Sequence, residues 1–211
     1  MTAPAGVAIT PLTRRLVRPL ASLYAVACDD NPGYSAIFLL DGASKTRALE
    51  WFFERRLLLL LARGAHVLVA VDEASGEVVG GVGLVPPACR PRVADKLSVA
   101  AAWLCAWGVP SFLRLLELDR LASSGLVAGG EVELVMMAVA ERRRGAGVGG
   151  ALLREALRLA GAGSRVRLAT NKPSNVRYYE RARFKTVACK DVKLSDTRCA
   201  AFSQWVMELE R

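Results

Sequence analysis

A single histidine, His66, stands in a chain of 211 residues. A Ser–His–Asp triad would have to run through it, and no serine or cysteine nucleophile motif accompanies it. The cysteines Cys28, Cys89, Cys105, Cys189 and Cys199 are scattered, odd in number and never spaced CxxC. That pattern argues against a zinc site and against a disulfide framework, so no metal is expected. A reducing compartment suits it, and the cytoplasm is the expected location. Aromatic residues make up only 7% of the chain, and no RNA-binding or helix-turn-helix signature is visible. No nucleic-acid partner is therefore expected. Acidic residues are missing before Asp29, while Arg14, Arg15 and Arg18 are present, a composition also found in organelle transit peptides. The same segment reads as a first strand, GVAITPL, followed by a helix with Leu16, Leu20, Leu23 and Val26 on one stripe, and it is assigned to the fold. Charge is missing from 97 to 113, LSVAAAWLCAWGVPSFL, but Gly108 and Pro110 break this run and it is short for a membrane span. It reads as a buried helix and turn, and no membrane partner is expected.

Hydrophobic residues make up 53% of the chain and charged residues 23%, the proportions of a globular protein. The length suits one domain, 1–211, able to bury a substantial core. The net charge is +9. A basic protein attracts polyanions, including phosphorylated cofactors.

Periodicity predicts a strand near 6–11, a helix near 13–27, a loop through DDNPGYSAIF, a helix near 43–63 and a hairpin of strands at 66–72 and 78–86. The stretch 90–127 looks helical. A strand at 131–139, a helix near 147–162, a strand at 165–170, a short helix near 174–182 and strands near 185–193 and 200–208 complete the order. Helices alternate with strands that include hairpins, which predicts a mixed α/β sheet.

The strand at 131–139 runs into AVAERRRGAGVGGALL, which carries Gly145, Gly147, Gly149 and Gly150 just before a helix. Unpaired N–H groups at a helix start, and the macrodipole behind them, suit a bound anion. A P-loop needs Lys and Ser or Thr after the last glycine, and Gly150 is followed by Ala151 and Leu152. A dinucleotide fingerprint is matched in letters by Gly145, Gly147 and Gly150. However, AERRR separates it from the strand, and no acid stands between Arg165 and Ser174 to take a ribose.

Arg144-Gly145-Ala146-Gly147-Val148-Gly149 resembles the R/Q-x-x-G-x-G/A signature of the GNAT superfamily of N-acetyltransferases, which lies between that family's fourth strand and third helix. Downstream, NKPSNVRYYERARF resembles the family's N…YYE-R-x-G-F segment through Asn175, Tyr179, Glu180, Arg181 and Phe184. Arg183 stands where the family usually has glycine. The layout of the whole chain is similar to the small-molecule branch that includes puromycin N-acetyltransferase. The resemblance implies a GNAT fold: a mixed, mostly antiparallel central sheet flanked by helices, with a splayed fourth and fifth strand pair. It also implies acetyl-CoA as cosubstrate, direct transfer to a primary amine of a small molecule in a ternary complex, and a monomer or homodimer. A protein lysine or N-terminus as acceptor, or acyl-CoA binding without catalysis, remain alternatives. The segment 88–130 and the loop 29–42 are expected to line the acceptor pocket.

An amine near pKa 10 is mostly protonated at pH 7 and must lose a proton before it attacks a thioester. Strand alternation places Glu131, Glu133 and Val139 on one face, with Val139 ending beside the glycine turn. Glu133 is the candidate base and Glu131 a weaker one. The resemblance implies Tyr179 as the acid that protonates the thiolate, and backbone N–H groups of Met137, Ala138 and Val139 around the developing oxyanion. It places Arg144, Gly145, Ala146, Gly147, Val148, Gly149, Gly150, Asn175 and Tyr178 at the cofactor. Arg142 and Arg143 either meet a CoA phosphate or lie on solvated surface.

Overall fold

The computed structural model describes residues 4–123 and 130–210. The described elements run β1 (Val7–Pro11), α1 (Arg14–Ala27), α2 (Pro32–Phe38), α3 (Gly42–Ala62), β2 (His66–Asp72), β3 (Val78–Val85), α4 (Val93–Ser123), β4 (Val132–Val139), α5 (Val148–Ala160), β5 (Arg165–Thr170), α6 (Pro173–Arg181), β6 (Lys185–Val192) and β7 (Phe202–Glu210). The strands form one sheet in the order β1-β2-β3-β4-β5-β7-β6. β4 and β5 are parallel, and the other neighbouring pairs are antiparallel. Parallel neighbours need a crossover, and α5 supplies it. This is the mixed, mostly antiparallel sheet flanked by helices expected from the sequence.

Each sheet face carries its own core. On one, Leu152, Leu153 and Ala156 of α5 meet Val82, Leu84, Val132, Leu134, Val166 and Leu168, with Tyr179 and Phe184 at the end. On the other, Leu20 and Tyr24 of α1, Phe53 and Leu57 of α3 and Trp103 of α4 cover Val67, Val69 and Val85. The two layers approach the backbone of β3 closely. A Cβ at Gly81 would lie 2.6 Å from Leu20 and 2.8 Å from the Tyr24 hydroxyl, and one at Gly80 would lie 3.0 Å from Leu152. Both helices therefore rest on bare backbone there, and a side chain at either position would push a helix away.

Three expectations change. DDNPGYSAIF is not a loop, because Pro32–Phe38 is helical, with the Asn31 side chain accepting from the Gly33 N–H and Pro32 at the first position. Asn-Pro serves here as an N-cap and first residue rather than as a turn. In α1 the buried stripe is Val17, Leu20, Ala21, Tyr24 and Ala25, while Val26 is exposed. The stripe through Leu16, Leu20, Leu23 and Val26 is thus rotated on the helix. Finally, 97–113 is not a buried helix. It belongs to α4, which breaks at Gly108 (φ 72, ψ 176). Val93–Leu121 is long and apolar enough by composition to cross a membrane, at a mean hydropathy of 1.5, yet only 17% of its apolar window is buried. The helix is apolar nearly all round, so the side packed on the core leaves the rest outside. The last part of the stretch expected to be helical, 124–127, lies outside the described residues.

Candidate active site

β4 pairs with β5 only at Val132–Val166 and Glu133–Arg167. Beyond these it keeps its β3 partners, from Leu134 opposite Leu84 to Val139 opposite Gly80, and parts from β5. The cause is local. Met136 has φ 52, and the register with β3 shifts at this level, the mark of an extra residue in one strand. Past the bulge, the β4 edge turned toward β5 has no strand ladder, so its backbone groups are open to a ligand. The splayed pair is therefore present.

The same bulge reverses the side-chain alternation. Val132, Leu134, Met137 and Val139 point toward α5 and α6, whereas Val135, Met136 and Ala138 point toward α1 and α3. Glu133, two residues before Val135, lies on the α1–α3 side. The expectation that it shares a face with Val139 is corrected. Glu133 is half-buried at the last rung before the strands part. Glu131 sits two residues earlier, buried, with one oxygen 3.5 Å from Arg167 and the other without a partner. Arg167 also holds Glu208, at 2.5 Å. Glu131 thus belongs to an ion-pair group at the start of the strands, away from the splay, and Glu133 takes no part in those pairs.

After Val139 the chain makes a short turn through Glu141–Arg143 and enters α5 by way of Gly147, which has φ 82. That left-handed conformation favours glycine. The first bond closing the helix runs from the Ala151 N–H to the Gly147 carbonyl at 3.0 Å. Val148, Gly149 and Gly150 therefore present N–H groups with no acceptor inside the helix. Nothing lies within 4 Å of where a Gly145 Cβ would stand, so the outer side of the turn is open. Gly149 faces inward, and its Cβ position is 3.2 Å from the Tyr178 hydroxyl and 3.5 Å from Met137 and Val139. Tyr178 thus supports the helix start from below, with a buried hydroxyl that has no partner. Free donors on an open ledge, continuous with an unladdered strand edge, fit a diphosphate joined to an extended arm.

The arginines before the turn divide. Arg142 pairs with Glu77, and Arg143 with the buried carboxylate of Asp72, so both brace the β2–β3 hairpin. Arg144 is exposed and enters no ion pair among the described residues. Asn175 donates to Thr170 Oγ1 at 3.0 Å, which ties the start of α6 to the end of β5.

Tyr179 is buried, with its ring against Tyr178 at 5.3 Å and Phe184 at 5.6 Å. Burial holds its phenol protonated well past the usual range, and the neighbouring Tyr178 and Cys28 act in the same direction. Burial also pushes the Cys28 thiol up to about 11, against the pull of Lys172. Lys172, just before α6, pairs with Asp30 after α1 and holds that carboxyl below its ordinary range. Lys45 of α3 bonds the Asp29 carbonyl, and a Cβ at Gly33 would lie 3.6 Å from Asn171 Oδ1. The α1–α2 and β5–α6 loops therefore touch beside the splay, a contact that sequence reading missed because its partners are 142 residues apart. Of two cavities, about 520 and 470 Å³, one lies between α3 and α4 and the other beside Glu131 and Gly163. Neither is lined by Glu133, Tyr179 or the glycine turn.

A strand pair opened by a bulge, with unpaired helix-start N–H groups at its mouth, is an arrangement that suits an acyl-CoA-dependent transferase. The Acetyltransferase (GNAT) family pattern matches residues 32–184, and the chain belongs to that family. It is an N-acetyltransferase, of a family whose acetyl donor is acetyl-CoA. Among solved structures it is similar to a "histone acetyltransferase HPA2 and related acetyltransferase" from Corynebacterium glutamicum (17% identity, 95% of each chain, TM-score 0.65). It is also similar to a phosphinothricin acetyltransferase from Sinorhizobium meliloti in complex with AcCoA (15% identity, 97% of this chain and 88% of that one, TM-score 0.60). A polyamine N-acetyltransferase from Drosophila melanogaster matches at 13% identity over 97% of this chain and 100% of that one, with a TM-score of 0.60. At such identities the likeness is one of fold. No curated protein matches the sequence.

Proposed function

We propose that the protein moves an acetyl group from acetyl-CoA directly to a primary amine of a small molecule, with both substrates held at once. The observation that carries the reading is the parting of β4 from β5 directly beside the glycine turn. The N–H groups from Gly147 to Gly150 would hold the pyrophosphate, with Arg144, Gly145 and Ala146 alongside. Met137, Ala138 and Val139 would pair with the pantetheine arm, and Tyr178 and Asn175 would set the positions of α5 and α6 around it. Bound there, acetyl-CoA supplies an acyl group already activated as a thioester.

Glu133 lies on the α1–α3 side of the sheet and Tyr179 on the α5–α6 side, so the reading requires both to reach one reacting centre through the gap. Glu133 takes a proton from the substrate ammonium, and the neutral amine so formed attacks the thioester carbonyl. Tyr179, kept protonated by burial, donates to the departing sulfur. A backbone N–H of Met137–Val139 steadies the oxyanion. The Lys172–Asp30 contact between the α1–α2 and β5–α6 loops supports a small acceptor, if the amine enters beneath it.

The test begins with thermal unfolding in acetyl-CoA, CoA and NAD. Saturation at about 100 times the dissociation constant adds about 2.7 kcal/mol, a shift of several degrees, expected for acetyl-CoA and absent for NAD. Thiol release is then followed across a panel of amines. Glu133→Gln is expected to lower kcat about 100-fold near neutral pH, with the deficit narrowing as alkaline pH deprotonates the amine unaided. An unchanged pH–rate profile would remove Glu133 from the chemistry.

A further inference from the structure

The cavity of about 520 Å³ between α3 and α4 lies apart from the reacting centre, and its size is that of pockets that hold small molecules. Arg14, at the head of α1, forms part of its wall. The tail of α1 is where Asp30 meets Lys172. A helix of 14 residues, about 21 Å long at 1.5 Å per residue, therefore separates the cavity from that contact.

The lining is of two kinds. Leu58, Leu61, Val99 and Ala102 offer methyl groups, and each is only half-buried, so the chain leaves them partly uncovered. The polar part is cationic. Arg14 and Arg55 both line the cavity, and neither enters an ion pair among the described residues. Arg55 is held at the wall by Trp51, with its guanidinium carbon over the ring at 5.9 Å from the centroid. The acid of the lining, Asp95, is already taken: it accepts from the Arg92 N–H at 2.7 Å and pairs with Arg63 at 3.6 Å. Arg63 Nε is itself buried without a hydrogen-bond acceptor. The cavity thus sets cations that lack counter-charges around an aliphatic floor. An anion answers the first and hydrocarbon the second. A nucleotide fits worse, because base and sugar edges would face methyl groups with no partner. An organic cation would meet like charge.

We propose that this cavity is a second binding site, separate from the reacting centre, for a small amphipathic anion: a carboxylate on an aliphatic body. The site does not depend on which amine the enzyme acetylates. Decanoate is titrated calorimetrically into the full chain, alone and then with saturating CoA, below the concentration at which it forms micelles. One molecule per chain is expected to bind, with the same affinity in both titrations. Decyltrimethylammonium, the same chain with the opposite charge, is expected to give no binding heat. Arg14→Gln with Arg55→Gln is expected to weaken decanoate at least about 10-fold, the loss of about one charge-assisted hydrogen bond. Arg15→Gln with Arg47→Gln removes equal charge from outside the cavity and is expected to leave the affinity unchanged. Ala102→Trp fills the floor and is expected to abolish binding, with a cooperative melting transition retained as proof of folding. Should that variant not fold, the two arginine pairs decide alone. No decanoate binding, equal binding of the cationic chain, or displacement by CoA overturns the proposal. So does an equal effect of the two arginine pairs, or a folded Ala102→Trp that still binds. Flotation of the chain with phosphatidylglycerol vesicles, without binding of free decanoate, would also overturn it, by making the cavity a membrane contact.

Discussion

Helix α5 turns Val148, Ala151, Leu152, Leu153 and Ala156 into the sheet and leaves Arg154 and Arg158 in water. Helix α4 has the longer apolar stretch, yet among its described residues only Trp103, Ser111 and Arg114 are buried. The contrast shows that the amount of apolar surface does not say where a helix lies. Its angular distribution does. A stripe finds its partner inside the chain, whereas an apolar cylinder satisfies one side and carries the remainder outward. The glycine turn starts the first kind of helix, where packing from below fixes the N–H groups proposed to hold the pyrophosphate.

The largest effect that would break this contrast lies at the head of α5. Gly147→Asp adds a negative charge to the anion site and a side chain at φ 82. It is expected to weaken acetyl-CoA binding at least about 1,000-fold, about 4 kcal/mol, in calorimetric titration. Normal affinity would show that the turn holds something else. Next, truncation separates the two helices. Leu152→Ala, at a fully buried site, is expected to cost about 3 kcal/mol in urea unfolding. Leu104→Ala in the dilute protein is expected to stay within about 0.5 kcal/mol. Equal losses would abolish the distinction. Tyr179→Phe keeps the ring packing and removes the acid, so kcat is expected to fall about 30-fold with little change in acetyl-CoA affinity. The phenol's raised pKa leaves its acid form intact up to alkaline pH. The ratio of wild type to variant should therefore stay flat from about pH 6 to pH 10, and a ratio that collapses within that window would contradict the assignment. The last effect is a gain. Arg183 has φ 70, so Arg183→Gly is expected to stabilise the fold by about 1 kcal/mol with activity unchanged.

The order of strands and helices, the glycine turn and both motif segments could be read from the sequence because each is written in neighbouring residues. Arg183 is instructive here. It stands at the family's glycine position and adopts the backbone conformation that glycine would take, so the departure strains the turn without abolishing it. What escaped reading depends on residues far apart or on a single inserted one. Strand alternation cannot reveal an extra residue, and the bulge at Met136 moved Glu133 to the other face. Asn31-Pro32 is the same dipeptide whether it ends a segment or caps a helix, and only the packing of Ile37 and Phe38 into the α1–α3 core separates the two. For Arg142 and Arg143 the sequence left a CoA phosphate and solvated surface both open, because their partners Glu77 and Asp72 are distant in the chain.

Gly80 and Gly81 have a mechanical consequence. Where two helices press on opposite sides of one strand without side chains between them, the strand acts as a stiff diaphragm, because no rotamer is available to absorb a displacement. Leu152 of α5 on one side of β3 and Leu20 and Tyr24 of α1 on the other are thus held apart by little more than the thickness of one bare strand.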